Sequence, residues 1–188
     1  GFNKEGVVVI STQEPEAEAS NAILKLFRDR LGQQSNIVSI SGTATKMRNV
    51  GVYPFKKDGR EVEVYQHRVD YDFFKTMGIE VVQGRTFSPE FATDTEAVVV
   101  NEKLLKELGI EDPLGKPLEG YYIPLTIIGV VRDYVFEDFR HSILPALHHN
   151  KPNWGISQML VRISPQNISG TLSLLERTWK DIQPNKPF

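Results

Sequence analysis

Two strand–helix units, one toward each end of the chain, constrain this sequence more than any other feature. Near the start, Gly6-Val7-Val8-Val9-Ile10-Ser11-Thr12 is a β-branched run that reads as a buried strand. Behind it Ala19, Ala22, Ile23, Leu26, Phe27 and Leu31 recur at helical spacing and form one apolar stripe. Gly32 stands where a helix commonly ends in a left-handed residue, and Asn36 to Ile40 predicts a second strand. Toward the other end, Ser157 to Ile163 alternates, with Met159, Val161 and Ile163 on one face. Ser164-Pro165 offers an N-cap and a first-turn proline, and Ile168, Leu172, Leu175, Trp179 and Ile182 follow at helical intervals. A helix with one apolar stripe needs a second layer to cover it. The two chain ends are therefore expected to build one layer, with the middle inserted as a second lobe.

The middle reads in a different style. Thr43 to Gly59 has weak patterning and a turn at Lys57-Asp58-Gly59, whereas Glu61 to Val69 is strand-like. Asp70 is expected to cap a short helix, Tyr71 to Met77, ended by Gly78. Short strands are predicted at Ile79–Val82 and Ala97–Val100, with a turn at Gly84-Arg85-Thr86 between them. Asn101 opens a helix carrying Leu104, Leu105 and Leu108 and closed by Gly109. Leu125 to Val131 is the most apolar strand, and Asp133 to Trp154 reads as loop with at most one short helix.

Composition removes several function classes. At 188 residues the chain is long enough for one ordinary domain or two small ones. A net charge of −2 argues against a nucleic-acid binder, which shows a basic excess. The absence of cysteine excludes a disulfide framework, a thiolate metal site and a cysteine nucleophile. The longest apolar run, Ile123 to Val131, is far short of the ~20 residues of a membrane span. The opening Gly1-Phe2-Asn3, without an initiator Met, suggests a piece of a larger protein.

No catalytic constellation emerges. Gly109 to Lys116 (GIEDPLGK) has one residue too many between its glycines for a P-loop, and Pro117 replaces the magnesium-binding hydroxyl. His148-His149 is read as a solvated loop pair, since adjacent side chains diverge and no further ligand stands at metal spacing. Asp70-Tyr71-Asp72 lacks the glycine and distal glutamate of a calcium loop. Glu61/Glu63 and Glu137/Asp138 mark wet faces, Asn167-Ile168-Ser169 is a chance-level sequon, and no Gly-x-Ser-x-Gly elbow exists. Arg85 and Arg132 could bind an anion, although arginines near turns more often bond backbone carbonyls. Tyr121, Tyr122, Tyr134, Phe136, Phe139 and Trp154 fall in turn or loop segments, and the first three with Phe136 and Trp154 are the candidate partner surface. The competing reading is that they fill the space between two lobes.

The order of short blocks carries a resemblance. Asp72-Phe73-Phe74-Lys75-Thr76-Met77-Gly78-Ile79 leads to Gly84-Arg85-Thr86-Phe87 and Ala97-Val98-Val99-Val100-Asn101-Glu102. Leu108-Gly109, Asp112-Pro113-Leu114-Gly115-Lys116 and Thr126-Ile127-Ile128-Gly129-Val130-Val131 follow. This succession resembles the MacB-like periplasmic core domain of FtsX-type ABC transporter permeases. The flanks, Gly1 to Glu5 and Trp179 to Asn185, are similar to those of the second extracytoplasmic domain in permeases with two such domains. The resemblance implies an α+β fold of two lobes. A porter-like βαβ lobe would comprise 1–67 and 145–188, and an inserted mixed α/β, Sabre-like lobe 68–144.

Phe74, Gly78, Gly84, Arg85, Phe87, Asn101, Gly109, Gly115, Gly129 and Val130 are the matching positions, and their expected roles are structural. The resemblance further implies a non-catalytic domain without cofactor on the periplasmic side of a bacterial inner membrane. Its partners would be the permease's own transmembrane helices, a separate cytoplasmic ATPase subunit, and a periplasmic protein or peptide. The implied function is mechanical transmission of ATP hydrolysis across the membrane; the alternative is a sensing module with a small molecule or antimicrobial peptide in the inter-lobe groove. Transmission predicts that the last helix packs its stripe onto the sheet carrying Val7 and Val9, with both chain ends at one end of the structure.

Overall fold

In the computed structural model, residues 6–44, 51–57, 59–118, 125–135 and 143–188 are described. The terminal segments form a three-stranded antiparallel sheet in the order β1 (Val7–Ser11), β10 (Gln158–Ile163), β2 (Ile37–Thr43). Strands β1 and β2 run parallel to each other with β10 slotted between them, joined by helix α1 (Ala17–Leu31). Helix α4 (Ile168–Ile182) packs beside α1 on the same sheet face. The core there joins Ile23, Leu24, Phe27 and Leu31 of α1 to Ile10, Ile40, Met159 and Val161 of the sheet and to Leu175 and Trp179 of α4.

Sheet alternation fixes which face of the sheet carrying Val7 and Val9 is covered. Val8 and Ile10 face the helices, whereas Val9 is exposed and Val7 packs with Leu160 on the reverse face. The α4 stripe is rotated from expectation. Thr171, Leu175, Thr178 and Trp179 are buried while Ile168 and Leu172 lie exposed. Trp179 anchors this arrangement, since its indole Nε1 donates to the Pro187 carbonyl at 2.8 Å.

Two helix termini depart from the sequence reading. Gly32 is right-handed (φ −62°) and continues the turn beyond α1. The cap of α4 is Asn167, not Ser164: it sits at φ 53°, and its Oδ1 accepts from Gly170 N at 3.3 Å. Asn tolerates that left-handed conformation better than most residues. Gly170 makes room, because a Cβ there would stand 2.5 Å from the Asn167 amide.

The remaining strands build a seven-stranded mixed sheet. Its path runs β3 (Gly51–Lys57), β4 (Arg60–Arg68), β9 (Ala146–His149), β6 (Ala97–Asn101), β8 (Leu125–Val131), β5 (Val81–Gly84), and β7 (Pro117–Leu118) pairs with β8. Helix α2 (Phe73–Met77) covers one face, clustering with Val99, Val131 and Ala146. Helix α3 (Glu102–Leu108) covers the other, with Val98, Val100, Ile127 and Leu147. A 3₁₀ turn at Ala92–Glu96 precedes β6.

The α+β class holds, with three consequences for the sequence reading. Strand β3 lies in the segment of weak patterning, and β9 in the segment read as loop. By hydrogen bonding 51–67 and 145–149 belong with the middle of the chain, since β3, β4 and β9 pair into the larger sheet. Asp72 holds the N-cap position of α2 without a side-chain cap bond, whereas Asp70 Oδ1 accepts from Asp72 N at 3.2 Å in the turn before it and the Asp70 carboxylate also pairs with Arg28.

Candidate functional site

The matching motif residues occupy structural positions. Phe74 and Phe87 are buried against α2's side of the large sheet, and Val130 is buried on the opposite face. Gly78 and Gly109 end α2 and α3, Gly84 closes β5 at φ 67°, and Gly115 lies in a turn. Gly129 is required by close approach: a Cβ there would stand 2.0 Å from the Arg85 carbonyl oxygen. Asn101 holds three elements together. Its Oδ1 accepts from Leu104 N (3.1 Å), capping α3, and from Ala146 N (2.8 Å), opening β9; its Nδ2 donates to the Leu144 carbonyl (2.9 Å).

Neither arginine singled out as an anion binder is available. Arg85 forks onto Asp94 at 2.8 and 2.9 Å and lies 4.0 Å over the Phe91 ring. Arg132 forks onto Glu80 at 2.7 and 3.1 Å.

The proposed aromatic surface is not assembled by its described members. Tyr121, Tyr122 and Phe136, with Phe139, lie outside the described residues. Tyr134 is buried, bonded through its hydroxyl to His148 Nε2 at 2.6 Å. Trp154 is half-buried, edge-on to His149 at 4.7 Å. Both thus serve as packing.

The two histidines read as a wet loop are fully buried in β9. His148 stacks on His67 at 5.3 Å, and its Nδ1 is 3.0 Å from the Val99 carbonyl. His149 Nδ1 accepts from Lys151 N at 3.3 Å. Burial holds His148 down at about 4. For His149, burial with the nearby Lys151 and Arg68 charges gives about 3. His67 is likewise lowered, by burial and then by its histidine neighbours. All three are neutral at pH 7. Among the described residues no group of three His, Asp or Glu could hold a metal ion.

What the fold does assemble is a seam between its two sheets. At the ends of β2 and β4, Thr43 pairs with Val69, and Ala44 N donates to the Arg68 carbonyl at 3.0 Å. Thr43 Oγ1 donates to the same carbonyl at 2.9 Å, and Asp70 N to Gly42 O at 3.1 Å. Arg28 on α1 reaches across: it donates to the Ile40 carbonyl at 2.7 Å, to Asp70 at 2.5 Å and to Asp72 at 3.2 Å. Arg162 of β10 donates to the Thr76 carbonyl of α2 at 2.6 Å. Burial outweighs the Arg28 attraction and raises the Asp70 carboxyl to about 6. Beside the seam opens a cleft of about 310 Å³ between α1, the 68–71 segment and the 150–152 segment, with Lys25, Arg28, Arg68, Asp70, Tyr71 and Asn150 on its wall. No sequence signal pointed to this cleft, because its residues come from four separated stretches.

Gly1 lies outside the described residues, so the expected meeting of the chain ends is followed from Gly6 and Pro187. Pro187 O accepts from Gln13 Nε2 at 2.8 Å, and Lys186 pairs with Glu14 at 2.7 Å, just past the end of β1. Gly6 instead lies at the start of β1, its carbonyl bonded to Ile163 N. Since α4 turns back along β10, the described ends are separated by the length of that strand, roughly 17 Å at ~3.4 Å per residue. No helix of the described residues is long and apolar enough to cross a membrane.

Known proteins share this architecture. The periplasmic region of MacB from Actinobacillus actinomycetemcomitans superposes with a TM-score of 0.66 at 17% identity, over 96% of this chain and 85% of that one. The extracellular domain of the noncanonic ABC-type transporter YknZ from Gram-positive bacteria gives 0.66 at 16% identity, over 96% of both chains. In sequence, the macrolide export ATP-binding/permease protein MacB of Bartonella henselae is 28% identical over 125 residues, which is 64% of this chain but 18% of that protein. Residues 2–171 match the MacB-like periplasmic core domain, and the chain belongs to that family.

Proposed function

We propose that this domain is the extracytoplasmic part of an ABC-type permease, non-catalytic itself, which carries movement from membrane helices to a periplasmic partner. ATP hydrolysis would occur on a separate cytoplasmic subunit. The observation that carries the reading is the seam. A displacement applied to β1 or α4 reaches the large sheet through the Thr43–Val69 junction, the Arg28 ion pairs and the Arg162–Thr76 bond. Packed, hydrogen-bonded layers transmit strain because interiors are dense and stiff. The separated chain ends are no support for a shared entry point, so the reading rests on the seam alone.

The test is a distance measurement in the full permease with its ATPase. Spin labels at Glu18 on α1 and Glu107 on α3 should keep their separation when ATP is added, while each changes its distance to a label in a membrane helix. Arg28→Ala should broaden the first distance. An ATP-dependent change of several ångströms between the two domain labels in the unaltered protein would refute rigid transmission.

A further inference from the structure

The cleft beside the seam contains a cation whose bonding is incomplete. Arg68 is 5% exposed, yet the one hydrogen bond of its guanidinium is a long one, Nε to the Lys151 carbonyl at 3.3 Å. Its Nη1 is sealed from solvent and has no partner. Asp70, the nearest carboxylate along the chain, is committed to Arg28. A nearly buried guanidinium with an unused donor is costly to maintain for stability alone.

The rest of the wall indicates what would complete it. Lys25 pairs with Asp29, and Arg28 with Asp70 and Asp72, which leaves Arg68 as the wall's cation without an ion-pair partner among the described residues, while Leu24, Pro152 and the Tyr71 ring supply apolar surface. A volume of about 310 Å³ lies at the lower end of small-ligand sites. One such cation matches a monoanion, and a planar carboxylate fits a guanidinium fork. A dianion would meet Asp29 and Asp70 as well.

We propose that this cleft is a binding site for a carboxylate-ended ligand with a small apolar body, such as a peptide C-terminus, whose carboxylate is received by Arg68. Tyr71, 38% exposed, lines the same cleft. The site is independent of the transmission reading: it requires only the folded domain and would exist whether or not the two sheets move as one.

The experiment is a ¹H–¹⁵N correlation titration of the chain with N-acetyl-leucine, with N-acetyl-leucinamide, and with inorganic phosphate. The acid should shift the Arg68 side-chain Nε–H and amides of 68–71 and 149–152 saturably, and the amide should not. Arg68→Gln should weaken binding about tenfold or more, the scale of a lost charge-assisted hydrogen bond. Lys25→Glu, on a side chain 78% exposed and therefore safe for folding, should weaken it several-fold. The proposal is overturned if the acid gives no saturable shift, if amide or phosphate binds as well, or if folded Arg68→Gln binds unchanged. Should Arg68→Gln fail to fold, unchanged affinity in Lys25→Glu overturns it.

Discussion

Mild acid should destabilise this domain, and the amount follows from its buried imidazoles. His148 and His149 are held at about 4 and about 3 in the folded state, against about 6.5 for a free imidazole. Between pH 6.5 and 4 the unfolded chain takes up protons that the folded chain refuses, so stability falls as pH falls. At pH 5 each histidine contributes a loss of about 2 kcal/mol, from ~1.5 pH units at 1.36 kcal/mol per unit. Asp70 acts in the opposite direction. Raised to about 6, it binds its proton earlier in the folded state, which returns about 1 kcal/mol between pH 7 and 5. The net expectation is a loss of about 2–3 kcal/mol on that interval, and His67, also lowered, adds to it. Urea unfolding at pH 7 and pH 5 measures this directly, and His149→Gln should flatten the dependence. A stability that is constant or rises on acidification would show that these histidines are not buried as neutral groups.

Four substitutions test packing and side-chain bonding. Gly129→Ala places its methyl 2.0 Å from the Arg85 carbonyl and should cost about 2 kcal/mol or more, seen as a fall in thermal midpoint. Trp179→Ala should cost about 3–5 kcal/mol, whereas Leu172→Ser on the same helix should stay within about 0.5; equal losses would mean the α4 face is misassigned. Asn101→Ala removes three hydrogen bonds joining β6, α3 and β9 and should cost roughly 2–3 kcal/mol in chemical denaturation.

Legibility followed from how strongly local pattern and tertiary role agree. Leu125–Val131 and Ala97–Asn101 were readable because β-branched runs mark strands buried on both faces. The helix ends at Gly78 and Gly109 were readable from glycine alone. Strand β9 was not, because its two histidines look hydrophilic in isolation. Tyr134, Phe74, Val99 and His67, from distant positions, give His148 a dry place with both ring nitrogens bonded. The α4 stripe was misjudged by about one residue because Thr171 and Thr178, polar in name, point inward while Ile168 and Leu172 point out. The seam and cleft were illegible for a simpler reason: they are made of long-range pairs between residues that carry no motif.

The position of β10 has a consequence for how the domain comes to exist. It is the central strand of the small sheet, yet it arrives about 150 residues after β1, its first partner. Until Gln158–Ile163 is present, β1 and β2 have no strand to pair with, and the apolar face of α1 has only half its cover. The larger sheet, by contrast, is complete in strands once residue 149 has emerged. Assembly during synthesis or translocation is therefore obliged to run from the middle outward, with two open strand edges waiting the longest. Such edges invite pairing with other chains. Truncation between residue 149 and β10 would consequently yield a folded sheet trailing an adhesive N-terminal arm, rather than a smaller version of the domain.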